Sequence, residues 1–263
     1  MLQVTLFNLL YVDDAILLAR TWRSMQQHLY ALQSFCQEYK LRLNLKKTQI
    51  LIFQPKRVPI PALSYMGCDV IQAERYKYLG IYITDTLNWS NGILHRICAG
   101  WNAWFHVENL CRRVEIWDWH RKWQLFEVIV IPTLLYGCEI WGPSISRETW
   151  QKVERVQKRF FTNYMGVKST TPYLLLLEEA GQPMLECRAL EKTIAYVRKI
   201  EAFSSCRLPL MAKQVSTQAQ RLKKGWWKDL MGWMERWHIT WDDIPQQKQE
   251  RKSFLHKKTM DTT

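Results

Sequence analysis

Residues 6–20 read LFNLLYVDDAILLAR, two short apolar runs on either side of the adjacent carboxylates Asp13 and Asp14. Short apolar runs bounded by turn residues are the pattern of buried strands. The segment therefore predicts a hairpin with the two aspartates at its turn. After Arg20 the period lengthens: Met25, Leu29, Leu32, Cys36 and Tyr39 fall at i, i+4, i+7, i+11 and i+14. That is the stripe of an amphipathic helix, and it can cover one face of the hairpin.

Outward from this nucleus, LNLKKTQILIF (43–53) reads as a strand and PKRVPIP (55–61) as a proline-punctuated loop. CDVIQA (68–73) and YKYLGIYIT (76–84) read as a further hairpin-like pair ending near Asp85. Residues 1–86 thus predict a small, mostly antiparallel sheet with one packed helix. From Asn88 onward helical period takes over, with breaks expected at Pro132, Gly142-Pro143, Gly166, Gly181 to Pro183 and Pro209. Thr171 before Pro172 predicts an N-cap with proline at the first helical position. Helices are expected over about Met184–Phe203 and Ser216–Trp237, and a frayed basic tail over 246–263. The fold class expected is α+β, a partial sheet domain followed by an all-α bundle, with a division of the helices at 87–165 and 166–245.

The chain has 263 residues, with 37 Lys plus Arg against 24 Asp plus Glu and a net charge of +13. With 48% hydrophobic residues and 14 Trp, it can bury a sizeable core, which excludes the disordered and collagen-like classes. A charge this positive, accompanied by so many aromatic rings, points first to nucleic acid. The seven Cys are scattered without any Cys-x-x-Cys pair, so neither a disulfide framework nor a zinc knuckle fits. The six His have no metal-ligand spacing. No basic segment precedes the first apolar run, unlike a signal peptide. The longest apolar run, Val128 to Cys138, has 11 residues, short of the roughly 20 that cross a bilayer. The expectation is a reduced, intracellular protein without a membrane.

Adjacent carboxylates between apolar strands repel one another, and a divalent cation such as Mg²⁺ would neutralise both through hard oxygen ligands. An ordinary turn also favours Asp. The remaining segments bear on that choice. LLYVDDAILLA (9–19), NLKKTQILIF (44–53), RYKYLGIYITDTLNW (75–89) and VIVIPTLLYGCEIWG (128–142), in this order and spacing, resemble the reverse transcriptases of non-LTR (LINE-type) retrotransposons. The resemblance extends to about Asp243.

The resemblance implies a family that copies RNA into DNA with Mg²⁺, acts on an RNA template and a DNA primer, and works in the nucleus. It places Asp13 and Asp14 in the aspartate-pair motif of the polymerase palm as catalytic metal ligands, Asp13 the more direct. Tyr11 and Val12 then lie beside the primer terminus, although Ala is commoner than Val at the second position. Asn44 and Lys47-Thr48 match the next palm motif, with Lys47 either near the triphosphate or a plain exposed cation. Tyr78, Leu79 and Gly80 match the primer-grip hairpin. The segment around LLYGCEIWG resembles the thumb, where Tyr136 and Trp141 are expected to be packing residues.

Arg112-Arg113, Lys152, Arg155, Lys158-Arg159 and Lys223-Lys224 are the basic positions expected to meet phosphates. Lys152, Arg155 and Arg159 share one helix side. Trp226, Leu230, Trp233 and Trp237 form a stripe read first as core or docking helix, and second as a stacking platform. Only 12 residues precede Asp13, too few for the fingers and the upstream palm aspartate of the family. The expectation is the downstream part of a reverse transcriptase, inactive alone. A non-catalytic nucleic-acid-binding protein and a helical protein-interaction module are the rival readings.

Overall fold

The computed structural model describes residues 8–53, 61–204, 207–220, 225–245 and 247–262. The chain divides into two units, Met1–Asn88 and Trp89–Thr263. In the first, β1 (Asn8–Tyr11) and β2 (Asp14–Leu17) form an antiparallel hairpin with Tyr11 opposite Asp14. Helix α1 (Trp22–Glu38) follows, its start fixed by Thr21, whose Oγ1 accepts from the Ser24 N–H at 3.1 Å.

Among the described residues six short strands complete the unit. They are β3 (Gln49–Leu51), β4 (Ser64–Tyr65), β5 (Cys68–Asp69), β6 (Ile71–Ala73), β7 (Arg75–Tyr78) and β8 (Ile81–Thr84). The α+β class holds. The small, mostly antiparallel sheet structure consists of two-stranded ladders, β1 with β2, β3 with β6, β4 with β5 and β7 with β8, of which β3 with β6 is parallel. CDVIQA and YKYLGIYIT do not pair with each other. The first is divided between β5 and β6, and the second folds on itself as β7 and β8. In LNLKKTQILIF only Gln49–Leu51 is strand, because Asn44 closes a turn. Its side chain accepts from the Lys46 N–H, and its carbonyl accepts from Thr48 Oγ1. Of the proline-punctuated loop, all but Pro61 lies outside the described residues.

Helix α1 packs on β4 through a side chain that imitates a strand: Gln26 accepts from the Ser64 N–H at 2.9 Å and donates to the Ser64 carbonyl at 2.8 Å. Leu29, Leu63, Tyr65 and Val70 are buried together, with Leu17, Met25 and Leu32 packed around them. At about 1.5–3 kcal/mol per fully buried side chain, this is a small core. Tyr39, the last residue of the expected stripe, is exposed and meets the Phe35 ring at a tilt instead.

The second unit is helical among the described residues: α2 (Trp89–Arg113), α3 (Trp119–Leu125), α4 (Ile131–Leu134), α5 (Cys138–Trp141), α6 (Arg147–Met165), α7 (Tyr173–Ala180), α8 (Leu185–Glu201), α9 (Leu208–Gln220), α10 (Trp226–Glu235) and α11 (Lys248–Thr262). No single helix among them is long and apolar enough to cross a membrane.

Pro132 does not break the chain. A wide π-helical segment, Phe126–Val130, runs from α3 into α4, and the Ile131 N–H reaches back to the Phe126 carbonyl. Widening just before a residue without an N–H absorbs the missing bond. The break comes later, at Gly137, whose φ of 69° is left-handed. Gly166 and Gly181 terminate α6 and α7 in the same conformation, as expected. The cap of α7 is Pro172 itself rather than Thr171.

The Trp stripe near the C-terminus is core. Leu230 and Trp233 are fully buried, Trp233 stacks on Trp150 at 5.4 Å, and Trp150 meets Trp141. Trp227 is buried where the stripe expected Trp226, whose indole N–H donates to the Ile140 carbonyl. The expected single helix over Ser216–Trp237 is two helices. The Trp227 N–H bonds Ser216 Oγ at 3.1 Å, whereas eleven residues of continuous helix would separate those positions by about 16 Å. The expected frayed tail is helical over Lys248–Thr262 and buries Leu255.

One buried carboxylate joins three helices. Glu154 of α6 accepts from the Tyr173 hydroxyl of α7 at 2.6 Å and from the Leu185 and Glu186 N–H groups of α8 at 3.1 and 2.7 Å. These donors favour the charged form, but burial outweighs them and raises its pKa to about 7. A carboxyl whose folded pKa lies above its unfolded value stabilises the fold fully below the unfolded value, 4.5, and loses that contribution as pH rises through about 7. The loss amounts to about 3 kcal/mol at most. Burial raises Glu186 in the same direction. Thermal melts from pH 5 to 8 should therefore show declining stability, with a shallower slope in Glu154→Gln. An identical slope in the variant would remove Glu154 as the source.

Candidate functional site

The β1–β2 hairpin carries its two aspartates at the tip. Val12 and Asp13 form the connection and Asp14 opens β2. Both carboxylates are exposed and neither has a partner among the described residues. Val12 has φ 55° and is 91% exposed. A β-branched side chain in the left-handed region costs about 1–2 kcal/mol, and strain of this kind persists where the turn geometry is imposed by its strands. Tyr11, opposite Asp14, is also exposed.

Two adjacent carboxylates fit one side of a Mg²⁺ ion, which keeps waters and takes one or two protein carboxylates with substrate phosphates. Among the described residues no group of three or more His, Cys, Asp or Glu is placed to hold a metal. Among the described residues the donors present fit part of a single-ion site.

The second hairpin turns at Leu79 and Gly80, with φ 46° and 81°. Two positive φ values in a two-residue connection are those of a type I′ turn. Glycine suits the second position, and Leu79 bears the strain at the first. Tyr78 sits at the last rung, opposite Ile81, and is half-buried. Lys47 is exposed within the Asn44 turn, its N–H bonded to the Asn44 carbonyl.

In the helical unit, α6 begins at Ser146, whose hydroxyl accepts from the Thr149 N–H. One face of α6 buries Trp150, Val153, Val156, Phe160 and Phe161. That face forces Lys152, Arg155 and Arg159 to the opposite side, where all three are exposed without an acidic partner among the described residues. Arg112, by contrast, is tied to Glu108 at 3.3 Å. Lys223-Lys224 lie outside the described residues. Trp141 is core, its indole N–H bonded to the Tyr136 carbonyl. Tyr136 is not: it is 47% exposed, with the Arg96 guanidinium 4.5 Å from its ring centroid. The sequence reading passed over Trp117 and Lys122, although WDWHRKW offered a signal. Trp119 and Trp123 stand four apart on the core face, while Trp117 falls outside that spacing.

Residues 2–83 match a model of the family described as reverse transcriptase (RNA-dependent DNA polymerase). The chain is 31% identical over 141 residues to a putative uncharacterized transposon-derived protein of Caenorhabditis elegans, covering 52% of this chain and 49% of that one. Two Drosophila melanogaster proteins are also similar. One is the probable RNA-directed DNA polymerase from transposon BS, 25% identical over 57% of this chain and 17% of that one. The other is the RNA-directed DNA polymerase from mobile element jockey, 24% identical over 50% and 15%. No solved structure matches. The N-terminal part of the chain is a reverse-transcriptase region. Its relatives are proteins named for transposons and a mobile element. The chain spans about half the length of the first relative and less than a fifth of the other two.

Proposed function

We propose that these residues are the downstream part of a non-LTR reverse transcriptase, which holds an RNA template and DNA primer but does not polymerise on its own. The observation that carries this is the aspartate pair: it lies at a hairpin tip inside the matched residues 2–83, with no further metal ligands grouped around it among the described residues. Asp13 and Asp14 would contribute ligands to Mg²⁺, which in such a site steadies the charge of the transferred phosphate. Tyr11 and Val12 would flank the primer end, Tyr78, Leu79 and Gly80 would hold the primer strand, and Lys47 would face the triphosphate. Lys152, Arg155 and Arg159 would follow a phosphate backbone. Phosphoryl transfer depends mainly on positioning, so a catalytic site needs the remaining palm ligands and a nucleotide-closing element from elsewhere. The same reading implies a reducing, intracellular setting, the nucleus for a retrotransposon enzyme.

Primer extension on a primed RNA template with Mg²⁺ or Mn²⁺ tests this. The expected result is no product above background from these 263 residues. Extension that disappears in Asp13→Asn would show that the residues present suffice for catalysis.

A further inference from the structure

We propose that Trp117, displayed beside the ammonium of Lys122, stacks on one base of a single-stranded nucleic acid whose phosphate Lys122 holds. The inference rests on the nucleic-acid-binding reading above and adds a single-strand contact separate from the α6 stripe.

The connection between α2 and α3 is fastened at both ends. Glu115 takes the left-handed conformation, φ 54°, and the Ile116 N–H donates to the Cys111 carbonyl at 2.8 Å. This is the bond of a Schellman cap, and Ile116 packs into the core beside it. Two residues later, Asp118 caps α3, its carboxylate accepting from the Arg121 N–H at 2.9 Å. Between these anchors stands Trp117, 63% exposed. A ring presented on a fastened loop loses little freedom when it binds.

Lys122 supplies the second, independent observation. The residue is only 8% exposed, yet it has no acidic partner among the described residues. Buried lysines are nearly always paired. Its ammonium sits 5.1 Å from the Trp117 ring centroid. The cation sits over the indole, and the largely exposed ring offers surface to a planar ligand. Arg113 and Arg121 are exposed nearby without acidic partners among the described residues. Of the neighbouring acids, Asp118 is engaged as a cap and Glu115 is exposed. A π-face beside an unpaired cation is the composition that grips a nucleotide. Only an unstacked base offers a free face, so the ligand is a single strand rather than a duplex.

The test is fluorescence anisotropy of the full chain with a labelled oligothymidylate and, in parallel, a labelled RNA–DNA hybrid duplex. Trp117→Ala should weaken single-strand binding roughly five- to 150-fold, the range for loss of one stacked base, and leave duplex binding unchanged. Trp117→Tyr should keep most of the affinity and Trp117→Leu should lose it, because stacking needs an aromatic face. Unchanged single-strand affinity in Trp117→Ala, or full affinity in Trp117→Leu, overturns the proposal. Wild-type binding to duplex but not to the oligothymidylate overturns it and leaves the broader reading standing. Binding to neither probe overturns both.

Discussion

Raising the salt from about 50 to about 200 mM is expected to weaken binding of an RNA–DNA hybrid by roughly fortyfold through the α6 stripe alone. Lys152, Arg155 and Arg159 span seven residues of helix, about 10.5 Å along the axis. A duplex strand carries one phosphate per roughly 3.4 Å of its axis, so three cations meet about three phosphates. Each contact contributes about −0.9 to the slope of log affinity against log salt. The stripe therefore contributes a slope of about −2.7, and a fourfold change in salt raised to that power gives the figure above. The three cations have no acidic partners among the described residues to release first. Replacing all three with Gln should flatten the slope by nearly that amount in an anisotropy titration, with helical content retained. A slope unchanged in the triple variant would remove α6 as the duplex contact. Binding insensitive to salt would favour an apolar protein interface instead.

Gly100→Ala is expected to destabilise the helical unit by about 3 kcal/mol, at the upper end of overpacking costs. Alanine ordinarily stabilises an exposed helix interior by up to about 1 kcal/mol relative to glycine, so the sign here is reversed by packing. A Cβ at residue 100 would lie 2.1 Å from Leu134 Cδ2 and 2.4 Å from its Cγ. Leu134 is 1% exposed and has no room to turn aside. The melting temperature should fall by on the order of 10 °C for a unit of this size. Leu134→Ala costs stability alone, but combined with Gly100→Ala it should cost less than the two changes summed, because the second removes what the first strikes. A Gly100→Ala variant as stable as the parent would mean that α2 and α4 do not approach this closely.

Alternating and helical hydrophobic periods exposed most of the fold. The hairpin around Asp13, the α1 stripe through Leu29 and Cys36, and the glycines that end α6 and α7 are local features, and local physics writes them into neighbouring residues. Pairing between distant segments is written far more weakly. That is why the parallel partnership of Gln49–Leu51 with Ile71–Ala73 was not legible. Pro132 misled because proline usually ends a helix, and the π-helical widening that accommodates it has no sequence signature. Of the candidate site, the aspartate pair and the α6 cations were legible from motif and spacing. Lys122 was not, since a lysine's burial and lack of a carboxylate partner exist only in three dimensions.

The buried carboxylate of Glu154 constrains how such a protein can be divided and recombined. Its three donors come from residues 173, 185 and 186, beyond the glycine at 166 where the sequence motifs suggest a seam. A recombination event at that seam would leave Glu154 without its donors and α8 without its cap. The helices on the two sides of residue 166 therefore hold together as one block.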